Sequence, residues 1–147
     1  MNFVKKPFFI LAITLCFINM QCHEDDGIPY QGNCDEVAVV DSNLYKSISS
    51  ENVTLINAEV VDNCLNIKIG ASGCDGNTWA FKLVDSGVVA ESSPEQRYLK
   101  LQLINNEACL AYFEKYISFD LTPLQINGSN KIILHIDGLE MSLTYNY

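Results

Sequence analysis

The chain has 147 residues, 18 Asp and Glu against 9 Lys and Arg, six cysteines and a formal charge of −9. That length is one domain's worth of sequence, and 48% hydrophobic with 18% charged residues excludes a disordered or collagen-like chain. The acidic balance speaks against a general nucleic-acid binder, which needs a basic surface to neutralise phosphates, and against electrostatic docking on anionic lipid.

The first 21 residues read as an address. Lys5 and Lys6 precede the apolar run Phe8–Ile18, which fits the hydrophobic segment of a secretory signal. As a helix that run would reach only about 17 Å, short of the ~30 Å hydrocarbon core, so it does not predict a permanent membrane span. Cys22 follows directly, after the polar Asn19 and Gln21. The stretch Asn19-Met20-Gln21-Cys22-His23-Glu24-Asp25-Asp26 resembles the processing site of small lipoproteins of the Bacteroidetes, flavobacterial type. It departs from their pattern at Asn19, where Leu is common, and at Gln21, where a small residue is usual. The resemblance implies lipidation of Cys22, anchoring in the outer membrane through acyl chains, and display on its outer face. It implies no activity.

Cysteine parity agrees with Cys22. Cutting there removes Cys16, lipidates Cys22 and leaves four cysteines, whereas cutting before Cys16 would orphan one thiol in an oxidising compartment. Residues 22–33, polar with Gly27, Pro29 and Gly32, read as a lipidated flexible tether to a domain spanning 34–147.

That domain reads as all-β. Strands are expected at Glu36–Val40, Val53–Val61, Leu65–Ile69, Trp79–Val84, Leu99–Leu103, Tyr116–Leu121 and Ile132–Ile136, and over the alternating stretch Leu139–Tyr145. Asp62-Asn63 is expected as a turn, and Asp137-Gly138 as a two-residue type I′ hairpin turn. Glu107–Glu114 is ambiguous, because Ala108, Leu110 and Ala111 also suit a short helix. Regular turn signals predict an antiparallel two-sheet sandwich, Ig-like or meander, with a small barrel as the alternative.

Cys34, Cys64, Cys74 and Cys109 allow three pairings. If the strands alternate in direction, Cys109 emerges near Cys74, which favours Cys74–Cys109 and leaves Cys34–Cys64. Their spacings lack the close pairs of zinc sites.

No catalytic motif or cofactor signature is present, so a non-enzyme is expected. His135 sits mid-strand without a local partner and reads as a half-buried strand residue, though it is the candidate base if the protein is a hydrolase. In Gly73-Cys74-Asp75-Gly76-Asn77, Asp75 and Asn77 could offer oxygens to a cation, but the composition equally suits a tight turn. Tyr98, Tyr112, Phe113, Tyr116, Tyr145 and Tyr147 could form a platform for sugar or peptide, or reflect strand propensity. The expected role is a binding or structural domain at the envelope, with the membrane as partner through the lipid and a second partner that is an envelope protein or a glycan. The alternative is an inhibitor of secreted proteases, with Asp85–Arg97, including Ser92-Ser93-Pro94, as its loop.

Overall fold

A computed structural model describes residues 33–147, so the expected signal segment, Cys22 and the expected tether through Gly32 lie outside the described residues. The described strands are β1 (Glu36–Val37), β2 (Val39–Val40), β3 (Thr54–Val61), β4 (Cys64–Gly73), β5 (Ala80–Ala90), β6 (Glu95–Ile104), β7 (Ala111–Asp120), β8 (Lys131–Ile136) and β9 (Leu143–Asn146). A short helix, α1 (Ser42–Ser47), and one 3-10 turn at Thr122–Leu124 complete them.

The strands form two sheets, in the orders β1-β7-β4-β3 and β2-β5-β6-β8-β9. Period-2 alternation builds the core between them. Leu65, Ile67, Ile69 and Phe119 point inward from the first sheet, and Leu83, Leu99, Leu101, Ile132, Leu134 and Tyr145 from the second, all fully buried in one cluster. Each such aliphatic or aromatic side chain contributes about 1.5–3 kcal/mol. The all-β sandwich is as expected from sequence, and neither sheet closes into a barrel.

The sheets are mixed where a purely antiparallel arrangement was expected. β1 runs parallel to β7, β2 parallel to β5, and β6 parallel to β8. The order is not that of a meander, because β4 and β5 belong to different sheets, as do β6 and β7. The expected strand Glu36–Val40 divides at Ala38, where the chain crosses between layers. Ala38 is 2% exposed and donates its amide to the Asp120 carbonyl at 3.0 Å, so a small side chain suits the crossing.

One of the two expected turns forms as read and the other is corrected. Asp62-Asn63 does turn β3 into β4, with Val61 opposite Cys64 and Asp62 in the left-handed region. At Asp137-Gly138 only Gly138 has positive φ, and Leu139 N donates to the Ile136 carbonyl at 3.0 Å. This is a type II geometry, whose twist splays the flanking strands instead of pairing them tightly as type I′ would. Pairing of β8 with β9 accordingly begins only at Leu134 and Leu143.

The ambiguous stretch Glu107–Glu114 is not helical. Residues 105–110 are irregular and β7 pairs with β4 from Ala111 opposite Gly73 to Asp120 opposite Cys64. The helix that does form, α1, follows Asp41, whose Oδ1 accepts the amides of Asn43 and Leu44 at 2.9 Å. It packs against β5. Val84, on the strand face turned away from the shared core, is also buried.

Candidate functional site

Three polar features and one open face remain once the core is accounted for. The first lies at the end of the sandwich where β4 and β6 finish and β5 and β7 begin. Cys74 and Cys109 are joined there across 35 residues, while Cys34 and Cys64, 30 residues apart, are joined near the start of β4. Beside the first disulfide the backbone of the Gly73–Asn77 loop turns its amides inward onto Glu107. Oε2 accepts the amides of Cys74 at 2.5 Å, Asp75 at 3.1 Å and Gly76 at 3.0 Å, and Oε1 accepts the Thr78 hydroxyl at 2.7 Å. Burial raises the Glu107 pKa, but these donors outweigh it and bring the value from 4.5 down to about 2.

The loop is therefore wired to hold an anion, and a residue of the chain supplies it. Asp75 spends Oδ1 on the Asn77 amide at 2.8 Å, the Asx turn that its composition suggests. The carbonyl of Gly76 accepts from Lys115, whose ammonium also lies 5.6 Å from the Trp79 ring centroid. No group of three or more His, Cys, Asp or Glu side chains placed to hold a metal occurs among the described residues.

Acid titration tests this latch. A carboxylate with a depressed folded pKa stabilises the fold above its ordinary pKa, and that contribution fades as pH falls through the folded value. Glu107→Gln is expected to melt below the wild type at pH 7, with the gap closing between about pH 4.5 and pH 2. Thermal melts across that range measure it; a constant gap would show that the carboxylate charge plays no part.

The second feature is buried. Asp85 is 0% exposed, on the core side of β5, and its Oδ1 accepts Arg97 Nη1 at 3.0 Å and the Gly87 amide at 2.8 Å. Asp85 Oδ2 and Arg97 Nε have no hydrogen-bond partner among the described residues. Desolvation raises the Asp85 pKa against the lowering effects of Gly87 and Arg97. The segment Asp85–Arg97, expected as an inhibitory loop, is thus mostly strand, because the ends of β5 and β6 pair up to Ala90 opposite Gln96. Only residues 91–94 form its tip, where Ser92 Oγ donates to the Pro94 carbonyl at 2.7 Å.

The third feature is His135, on the outer face of β8. It stacks on Tyr98 with ring centroids 5.1 Å apart, and its Nε2 lies 2.7 Å from Gln96 Oε1. Neither neighbour is a carboxylate. A cleft of about 410 Å³ nearby is lined by Ile48, Ser49, Ser50, Glu51, Lys100 and Asp137. Its lysine is already committed to the Tyr45 and Ile48 carbonyls, at 3.2 and 3.4 Å.

The aromatic residues separate by role. Tyr145 is fully buried, its hydroxyl donating to Asn63 Oδ1 at 2.7 Å and accepting Gln125 Nε2 at 2.8 Å, and Phe113 and Tyr147 pack against the core. Tyr112 and Tyr116 instead stand on the outer face of the first sheet, 57% and 77% exposed. Cross-strand pairing places Tyr112 opposite Ser72, Glu114 opposite Gly70 and Tyr116 opposite Lys68. Lys68 Nζ meets Glu114 Oε2 at 2.5 Å and lies 5.8 Å from the Tyr116 ring centroid. A Cβ at Gly70 would lie 1.7 Å from the Tyr112 hydroxyl, so the missing side chain lets that tyrosine lie down over β4. Alternation alone puts positions 112, 114 and 116 on one face, but which sheet face was open could not be read before the pairing was known.

No family model matches the chain, and no curated protein matches it. Among solved structures it resembles a NigD-like immunity protein from Bacteroides caccae at 13% identity and a TM-score of 0.53, covering 75% of this chain and 64% of that one. It also resembles a protein of unknown function, DUF1344, from Bacteroides vulgatus at 18% identity and a TM-score of 0.52, covering 76% and 56%. The chain thus spans less than two thirds of the length of either structure. At these identities the likeness is one of fold, a β architecture shared with proteins of Bacteroides species.

Proposed function

We propose that the chain is a lipid-anchored protein of the bacterial outer membrane whose sandwich acts by binding, not by catalysis, through the open face of the first sheet. The observation that carries the binding role is the pair of tyrosines left on that face. Large aromatic side chains are normally spent in a core, and Tyr112 and Tyr116 are not. The non-catalytic reading is supported by the setting of His135 against Tyr98 and Gln96. The anchor is supported by the Cys22 processing signal, and two disulfides suit an oxidising compartment outside the cytoplasm.

Metabolic labelling with a radioactive fatty acid tests the anchor: the wild type is expected to take up label and Cys22→Ser to take up none. Equal labelling of the two would overturn it. A photo-crosslinking amino acid at Ser72, on the open face, tests the surface. Adducts are expected in intact cells from Ser72 and not from a crosslinker placed at Asp75.

A second reading is favoured by the fold shared with a NigD-like immunity protein. Here the domain would neutralise a secreted protein, a protease or a toxin, and the tip at 91–94 offers a short loop for it. Loss of activity across a panel of secreted proteases on adding the chain would favour this reading over the first.

A further inference from the structure

We infer that the open face of the first sheet is a platform for an extended, uncharged polysaccharide, with its sugar rings stacked on Tyr112 and Tyr116. This deepens the binding reading above and rests on it.

The two rings lie on one strand and one face, four residues apart, which at about 3.4 Å per residue separates their Cα atoms by roughly 14 Å. Two separate stacking positions along one strand suit an oligosaccharide over a single sugar. A pyranose presents an apolar face of C–H bonds and a rim of hydroxyls. The first matches an exposed phenol ring lying over the sheet, as Tyr112 does at Gly70. The rim needs groups that both donate and accept, and side-chain amides and hydroxyls do both. Asn57 and Asn66 flank Lys68 on this face and Ser72 lies opposite Tyr112, and none of the three side chains makes a hydrogen bond among the described residues.

Charge decides between occupants. Against Tyr116 sits the Lys68–Glu114 ion pair, neutral as a unit and still partly exposed. A protein partner would bury that pair at the centre of its footprint, where proteins place apolar anchors, and would bear its desolvation. Sugar hydroxyls can hydrogen-bond to both ions in place. A polyanionic glycan meets the repulsion of a chain carrying −9.

The test is native gel electrophoresis of the full chain in detergent, through gels containing mixed-linkage β-glucan, α-mannan, xylan, dextran or polygalacturonate. At least one neutral polysaccharide is expected to retard the wild type. Tyr116→Ala, on a ring that is 77% exposed and outside the core, is expected to weaken that interaction about tenfold or more, and Tyr116→Trp to retain it. Tyr112→Ala should act alike, with its melting temperature measured in parallel because it uncovers Gly70. Retardation by no neutral polysaccharide, by polygalacturonate alone, or equally for wild type and Tyr116→Ala would overturn the inference. Protein adducts from Ser72 without any retardation would overturn the glycan assignment while leaving the binding reading intact. Absence of both adducts and retardation would overturn both.

Discussion

Replacing Arg97 by Met is expected to destabilise the domain by about 3–5 kcal/mol at neutral pH, the largest effect of any single substitution proposed. The guanidinium is the charged partner of Asp85 Oδ1, and the carboxylate has no route to solvent at 0% exposure. Methionine keeps much of the arginine's volume but leaves a buried carboxylate with the Gly87 amide as its remaining donor. The pair is a poor source of stability in itself, since both ions were desolvated to form it and two of their polar atoms, Asp85 Oδ2 and Arg97 Nε, go unmatched. Asp85→Leu together with Arg97→Met is therefore expected to recover most of the loss.

The pH dependence has a definite sign. Burial raises the Asp85 pKa above its ordinary 3.8, so the folded state binds this proton more tightly than the unfolded chain does. Ionising the group then costs stability as pH rises through the window above that ordinary value. In Arg97→Met the charge that opposed this shift is gone, so the deficit should narrow as pH is lowered from 7 towards 5. Urea denaturation at both pH values measures it. A variant as stable as wild type at pH 7 would refute the buried pair.

Loss of the Cys74–Cys109 disulfide, through Cys74→Ser with Cys109→Ser, is expected to cost about 3–4 kcal/mol, from the loop-closure entropy of a link spanning 35 residues. It should also have a local signature. Trp79 is the sole tryptophan of the chain, is 8% exposed, and lies next to the Glu107 loop and Lys115. Freeing the loop should shift its fluorescence to the red in the folded state. The Cys34–Cys64 disulfide closes a similar loop, so Cys34→Ser with Cys64→Ser should cost a similar amount, but the change lies near the other end of β4 and should leave the emission unchanged. Identical emission in all three proteins would mean that the disulfide does not organise the Glu107 loop.

Why some elements were readable and others were not follows from where their determinants lie. Leu65-Asn66-Ile67-Lys68-Ile69 and Leu99-Lys100-Leu101-Gln102-Leu103 carry their strand signal in five adjacent residues, and both put their leucines and isoleucines fully inside. The alternation was blind to strand partners: nothing near Ile132 indicates that β8 will lie parallel to β6. At Glu107–Glu114 the helical spacing of Ala108, Leu110 and Ala111 competes with tertiary ties. Glu107 is held by the amides of the Gly73–Asn77 loop, Cys109 by Cys74, and residues from Ala111 by β4, which together extend the chain. The helix at Ser42–Ser47 had a local signal, the cap at Asp41, which the apolar alternation of the preceding valines overshadowed.

Read alone, the residues determined the all-β class, the inward face of most strands and the turn at Asp62-Asn63, because each depends on chemistry within a few neighbouring positions. Only the tertiary structure decided that Asp85 would be buried, that Glu107 would close the Cys74 loop, and that Tyr112 and Tyr116 would be left on an uncovered face. Each of those outcomes depends on which strand lies alongside, and a period of two within one strand does not encode its neighbours.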